Sequence, residues 1–259
     1  MELAEALELQ NEWWSSGEVP EALLKEWKRP EFDKVARTLD EDRITAVIGL
    51  RRAGKTTLLY QTVEHLLKKG VEPKRILFFS ADDPTLSAYK EELFERIIKT
   101  YYGEILGSGR RSGKTYIFVD EIHFRPGWER WLKRYVDLKY GIKFIISGSS
   151  ATHMSKNSKE SLVGRISEIR VPPLTFPQYL SLIGEDGIAK HYSGMNIGEV
   201  FGDRVKATKY REKAGALLNR YLLYGGMPEG VGEESIEIWQ DKLVSDIMRK
   251  VIYRDLVEV

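Results

Sequence analysis

Lys55 and Thr56 close the run Gly49-Leu50-Arg51-Arg52-Ala53-Gly54-Lys55-Thr56, a G-x-x-x-x-G-K-T loop. An ammonium beside a hydroxyl, preceded by two spaced glycines, suits a polyphosphate and its metal ion. Gly49 and Gly54 let the backbone turn tightly and aim its N–H groups inward, and the cradle extends to Thr57. Lys55 would reach the β- and γ-phosphates, and the Thr56 hydroxyl would ligate Mg²⁺. Further along, Asp120-Glu121 places two carboxylates directly after four apolar residues. Asp120 at a strand end would hold Mg²⁺, chiefly through its waters and together with Thr56. Glu121 would polarise the water that attacks the γ-phosphate. Ser147 ends another apolar run, where a hydroxyl could orient that water or touch the γ-phosphate; Ser147-Gly148-Ser149-Ser150 equally reads as a turn. Arg165 could neutralise charge developing on the γ-phosphate, from within the chain or from a neighbouring subunit, or lie on a solvated surface. Arg51 and Arg52 are an unusual basic pair that could face phosphates or a partner.

Such groups need rigid elements behind them. Ile44 to Ile48 reads as a buried strand running into the loop, and Leu58, Leu59 and Val63 share one face of the helix that follows. The helix start would set its positive end against the phosphates. Further strands read at Ile76–Phe79, Tyr116–Val119, Lys143–Ile146 and Ile166–Val171, with amphipathic stretches at 85–102 and around Trp128, Trp131 and Tyr135. This alternation predicts an α/β fold with a mostly parallel sheet covered on both faces, binding its ligand at the strands' carboxyl ends. A second stretch, GSGRRSGKT at 107–115, imitates the phosphate loop, but Ser108 replaces the first glycine and a strand follows rather than precedes it. It reads as a basic turn.

Residues 1 to 40 read as helical and set apart, anchored by Trp13, Trp14 and Trp27, with a short helix opening at Arg29-Pro30-Glu31-Phe32. From 174 the strand signal disappears. Leu174 to Ile183 reads as helix, 184–202 as Gly-rich and polar, and 203–224 as a helix ending in Gly225-Gly226-Met227-Pro228. The stretch 235–259 has apolar residues at helical spacing (Ile236, Trp239, Leu243, Ile247, Val251) and no terminator. The expectation is a second, all-helical domain in a chain that stops short of a longer protein.

With no cysteine among 259 residues, a disulfide framework, a thiolate metal site and a cysteine nucleophile are excluded. The net charge of +1 gives no global argument for nucleic acid or anionic membrane. No apolar run is long enough to span a bilayer and the N-terminus is acidic, so the expectation is a cytoplasmic protein without membrane attachment. His65, His123, His153 and His191 lack metal-ligand spacing, and His123 reads as a packing or supporting residue beside Glu121. Arg110-Arg111 and Lys139 to Lys143 read as solvated basic faces. No N-K-x-D guanine reader follows the fourth strand, which favours ATP over GTP.

The segments GLRRAGKTTLLYQ, IFVDEIHFRPGWERWLKRYVD, FIISGSS, LVGRISEIRVPPLTFPQYL and YLLYGGMPE, in that order, resemble the archaeal-type ATPases of the AAA+/STAND group, in which an AAA core precedes a DUF4143-type region. The resemblance runs from about Arg29 to the end and implies an N-terminal extension at 1–28, a nucleotide-binding core at 29–173, and a helical lid with the start of a truncated C-terminal region at 174–259. It implies a five-stranded sheet of order 5-1-4-3-2. Gly49, Gly54, Lys55 and Thr56 match Walker A; Asp120 and Glu121 match Walker B. Ser147 matches sensor 1, with Ser149 as the alternative, and Arg165 falls in the arginine-finger region. Gly226-Met227-Pro228 resembles the lid element whose proline approaches the base, and Arg29-Pro30 the segment covering adenine. Arg220 is a weak match to the second sensor. The function implied is Mg²⁺-dependent hydrolysis of ATP coupled to lid motion. The alternative is a slow or non-hydrolysing switch acting through a protein or DNA partner. A homo-oligomer would follow if Arg165 acts between subunits. DNA contact rests on family analogy alone, and a small-molecule kinase would need more arginines between 147 and 165 than the sequence supplies.

Overall fold

Short apolar runs rich in β-branched and aromatic residues, bounded by turn formers, commit five segments to strands. The computed structural model describes residues 2–107, 113–149, 162–195, 198–199, 210–233 and 235–245. Ser108, Arg110-Arg111, Ser150, His153, the polar stretch up to 161, residues 203–209, Ile247 and Val251 lie outside the described residues.

The strands are β1 (Ile44–Gly49), β2 (Ile76–Ser80), β3 (Thr115–Asp120), β4 (Ile142–Gly148) and β5 (Ile166–Val171), in the order β2-β3-β4-β1-β5. The pairs β2–β3, β3–β4 and β1–β4 are parallel. The anticipated order therefore holds. By packing, the chain divides into two compact units, Met1–Gly49 with Lys55–Arg170, and Leu50–Gly54 with Val171–Val259.

In the first unit the helices are α1 (Leu3–Gln10), α2 (Trp13–Ser16), α3 (Glu31–Thr38), α4 (Lys55–Lys68), α5 (Leu93–Thr100) and α6 (Trp128–Asp137). Leu77, Phe79, Ile117, Val119, Phe144 and Ile146 meet Phe94, Ile97, Trp131 and Leu132 in one buried cluster. The amino-terminal residues do not stand apart. Leu3, Ala6 and Leu7 join that cluster and Trp13 is fully buried. The indole N–H groups of Trp13 and Trp14 donate to Ile76 O at 3.1 and 2.7 Å. Asn11 accepts the Phe78 N–H on Oδ1 at 2.6 Å and returns an Nδ2–H to Phe78 O at 2.7 Å. Gln10 accepts the Ser80 N–H at 2.8 Å. The reason is local to β2: it has a strand on one side only, and its other backbone groups must still be paired.

Lys143 corrects the reading of 139–143 as a solvated face. It is 1% exposed, and its ammonium donates to Glu41 O at 3.1 Å and also to Arg43 O, tying β4 to the turn before β1. Burial, followed by the charge of Glu41 (which opposes it) and that of Lys114, lowers its pKa to about 8. Between that value and the ordinary lysine range, an unfolded chain binds a proton that the folded chain has released. Stability should therefore rise as pH rises through this window, the penalty being full below it. In thermal melts from pH 8 to 10, the wild-type melting temperature should gain on that of Lys143→Met as pH rises. Parallel curves would remove Lys143 from the account.

In the second unit the described helices are α7 (Phe176–Leu182), α8 (Asp186–Tyr192), α9 (Arg211–Tyr224) and α10 (Ile236–Lys242). Thr175 and Gln178 cap α7 reciprocally. The stretch from 184, read as Gly-rich and polar, contains α8, because Ile188, Ala189 and Tyr192 fall at helical spacing and bury against Phe176, Tyr179 and Leu180. Gly226 is required by close approach. Leu174 N donates to Gly226 O at 2.6 Å, and a Cβ on Gly226 would lie 2.5 Å from Leu174 O. Among the described residues, no helix is long and apolar enough to cross a membrane.

Candidate functional site

Three neighbouring strands, β3, β4 and β1, end side by side, and the register pairs Val47 with Ser147 and Val119 with Ile146. Their carboxyl ends therefore present Asp120-Glu121, Ser147 and the phosphate loop at one edge of the sheet. In the loop Gly54 has φ 89° and Arg52 φ 61°, left-handed conformations of the kind from which anion-binding backbone concavities are built. Lys55 opens α4 and is only 4% exposed.

The first unit brings five of the expected residues together. The Thr56 hydroxyl donates to Asp120 Oδ2 at 2.6 Å. The Ser147 hydroxyl donates to Asp120 Oδ1 and accepts the Glu121 N–H at 3.0 Å. Lys55 Nζ lies 3.5 Å from Glu121 Oε1. Burial pushes the Asp120 carboxyl above the usual carboxylate range; the hydrogen bonds from Ser147 and Thr56 pull it back, Glu121 raises it and Lys55 lowers it. A buried carboxylate flanked by a hydroxyl is a hard-oxygen donor set that suits Mg²⁺. In the second unit, the Nε of Arg51 is buried and makes no hydrogen bond among the described residues.

Glu121 itself adopts φ 47° and ψ 44°, left-handed for a residue with a Cβ. A short 3₁₀ turn, Ile122–Phe124, follows, with the Phe124 N–H on Glu121 O at 3.1 Å. Ile122 is buried, and Arg125 donates to Ala81 O at 2.7 Å, so the turn is fastened at both ends.

Arg165 is not brought to this edge. The Ile44 N–H donates to Arg165 O at 2.8 Å, so Arg165 lies at the start of β1 and β5, the opposite end of the sheet from the loop. Its guanidinium grips Asp137 with Nε at 2.6 Å and Nη2 at 3.3 Å. Arg29 is buried and bound to Glu31 at 2.8 Å, while Pro30 is exposed. Ser149, the alternative to Ser147, is buried one step beyond β4. In the second unit Pro228 opens a 3₁₀ turn, and Arg52 is ion-paired to Glu229 beside it. Glu229 escaped the sequence reading. Its one signal was an acidic residue adjoining Gly226-Met227-Pro228, in a chain whose loop carries two arginines without evident counter-charges.

A parallel sheet of this order, with a glycine-bounded loop between β1 and α4 and an aspartate ending β3, defines a phosphate-loop nucleotide-binding core. More specifically, the chain belongs to the AAA domain family, whose model matches residues 41–180. It is 28% identical over 243 residues to the uncharacterized protein MJ1637 of Methanocaldococcus jannaschii, covering 91% of this chain and 49% of that one. An uncharacterized protein of Haemophilus influenzae is 25% identical over 218 residues, covering 84% of this chain and 47% of its own length. The chain thus spans about half the length of the curated relatives it matches. Among solved structures, the S. cerevisiae Hsp104–ADP complex matches with a TM-score of 0.52 and 18% identity, over 88% of this chain and 32% of that one. The last likeness is one of fold.

Proposed function

We propose that the chain binds ATP with Mg²⁺ and hydrolyses the β–γ bond. The observation that carries this is the bonded set Thr56–Asp120–Ser147–Glu121, with Lys55 beside Glu121, at the carboxyl edge of three strands. Thr56 and Asp120 would hold Mg²⁺, which when bound neutralises phosphate charge and orients the β- and γ-oxygens. Lys55, Arg51 and the N–H groups of residues 49–57 bind and align the triphosphate. Ser147 fixes the Glu121 backbone, so that the carboxylate can take a proton from the attacking water. Adenine is assigned to Arg29, Pro30 and Pro228 by the family resemblance. On the same resemblance, we assign the chain to the STAND branch, with a DUF4143-type region following the core; separately, we propose a cytoplasmic setting. The helical second unit would serve as a lid that moves with nucleotide state.

A second reading is favoured by one contact. Glu121 is engaged with the phosphate-binding lysine itself, an arrangement that suits a gated base and a slow switch working through a protein or DNA partner.

Because Arg165 lies at the far end of its own sheet, its arginine-finger role is assigned to a neighbouring copy. ATP hydrolysis measured across a wide range of protein concentration tests this. Specific activity should rise with concentration and fall by about 10³-fold in Arg165→Ala. The Arg165–Asp137 pair, with side chains 35% and 41% exposed, contributes little to folding, so the variant should remain folded. Unchanged turnover in Arg165→Ala would discard the finger. Tight ATP binding without turnover at any concentration would favour the switch.

A further inference from the structure

Glu121 is held on two sides, and only one of them belongs to the phosphate-loop pattern. Oε1 faces Lys55, whereas Oε2 lies 3.3 Å from His123 Nδ1. Oε2 is buried and makes no aligned hydrogen bond among the described residues. Leaving a carboxylate oxygen buried without a donor is costly, and a small turn of the imidazole would supply one. The ring is well placed for this. It projects from the fastened turn Ile122–Phe124, is 12% exposed, packs on Phe124 with centroids 4.6 Å apart, and sits over Gly148 at the end of β4, where an added Cβ would lie 3.7 Å from Nδ1.

We infer that His123 is a positioning residue for Glu121: its Nδ1–H donates to Oε2 and sets the direction in which the carboxylate meets the attacking water. The inference rests on the reading of Glu121 as the base. The physical point concerns Lys55. An ammonium that must bind phosphate also attracts the Glu121 carboxylate, and that attraction pulls the base toward the loop. A donor on the opposite oxygen resists the pull and keeps one orientation when Lys55 turns to the phosphates. Asparagine, whose amide nitrogen occupies nearly the place of Nδ1, should do part of the same work.

The test is steady-state ATP hydrolysis with Mg²⁺ for His123→Ala, His123→Asn, Glu121→Gln and the double variant His123→Ala/Glu121→Gln, with thermal melts as the folding control. His123→Ala should lower kcat about tenfold with KM nearly unchanged, His123→Asn should recover most of it, and the alanine should have no further effect when Glu121 is already glutamine. If Glu121→Gln turns over at the wild-type rate, the base assignment itself is wrong. If Glu121→Gln is slow but His123→Ala is not, that assignment stands and the present inference falls. Equal losses in His123→Ala and His123→Asn, or an added loss in the double variant, would also overturn it. A readout independent of turnover is the ¹⁵N spectrum of the His123 imidazole at pH 8. The proton should reside on Nδ1 in the wild type and redistribute in Glu121→Ala; an Nε2-protonated ring in the wild type sinks the idea.

Discussion

Glu121→Gln should retain ATP and turn it over about 10²-fold or more slowly than the wild type. The amide cannot accept the proton of the attacking water, yet it can keep the carboxylate's shape and its place between Lys55 and His123. Binding should be retained for a reason visible in the site. Glu121 Oε1 lies 3.5 Å from Lys55 Nζ, so the carboxylate competes with phosphate for the ammonium. Removing its charge relieves that competition, and calorimetric titration with ATP should give a Kd equal to the wild-type value or lower. A variant that hydrolyses at the wild-type rate would show that another group takes the proton. One that loses ATP binding would show that Glu121 supports the loop rather than the chemistry.

Lys55→Ala should weaken ATP binding by about 10²-fold, the effect of a lost charge-assisted bond to phosphate of roughly 1.5–3 kcal/mol. Two circumstances place it at the upper end. Lys55 is only 4% exposed, so the charge acts where water screens it little. Its loss also leaves Glu121 and Asp120, two neighbouring carboxylates, without the cation that partly offsets them near the incoming phosphates. Fluorescent-nucleotide titration would measure the change. Wild-type affinity in Lys55→Ala would mean that the loop is not the phosphate site.

The parts of this site that sequence disclosed are those whose chemistry is local. The phosphate loop, the acidic pair at the end of β3 and the hydroxyl near the end of β4 each close a mostly apolar run, and such runs are strands because both sheet faces are covered. Strand order then carried Asp120, Ser147 and Lys55 to one edge without further information. What stayed hidden depends on partners distant in the chain. Nothing periodic announces that Asn11 will pair with Phe78, or that Arg52 will meet Glu229. Lys143 resembled the other surface lysines because burial was compensated by two backbone carbonyls, which carry no side-chain signature. Arg165 was visible as a residue but not as a location. It directly precedes β5, and its place beside the start of β1 follows from the Ile44 N–H meeting its carbonyl, a contact that only the three-dimensional structure displays.

The side chains of Gln10, Asn11, Trp13 and Trp14 along β2 have a consequence for how this molecule behaves among its own copies. A strand with one bare flank is a template on which another chain can lay a strand of its own, the usual beginning of ordered aggregation. Here a primary amide imitates the missing strand, exchanging both a donor and an acceptor with Phe78, and two indoles shut the flank at Ile76. The segment 3–16 therefore acts as a guard on the sheet. Wherever they are cut away or displaced, the hazard is recruitment of further chains along Ile76–Ser80, a run of ILFFS bare of charge.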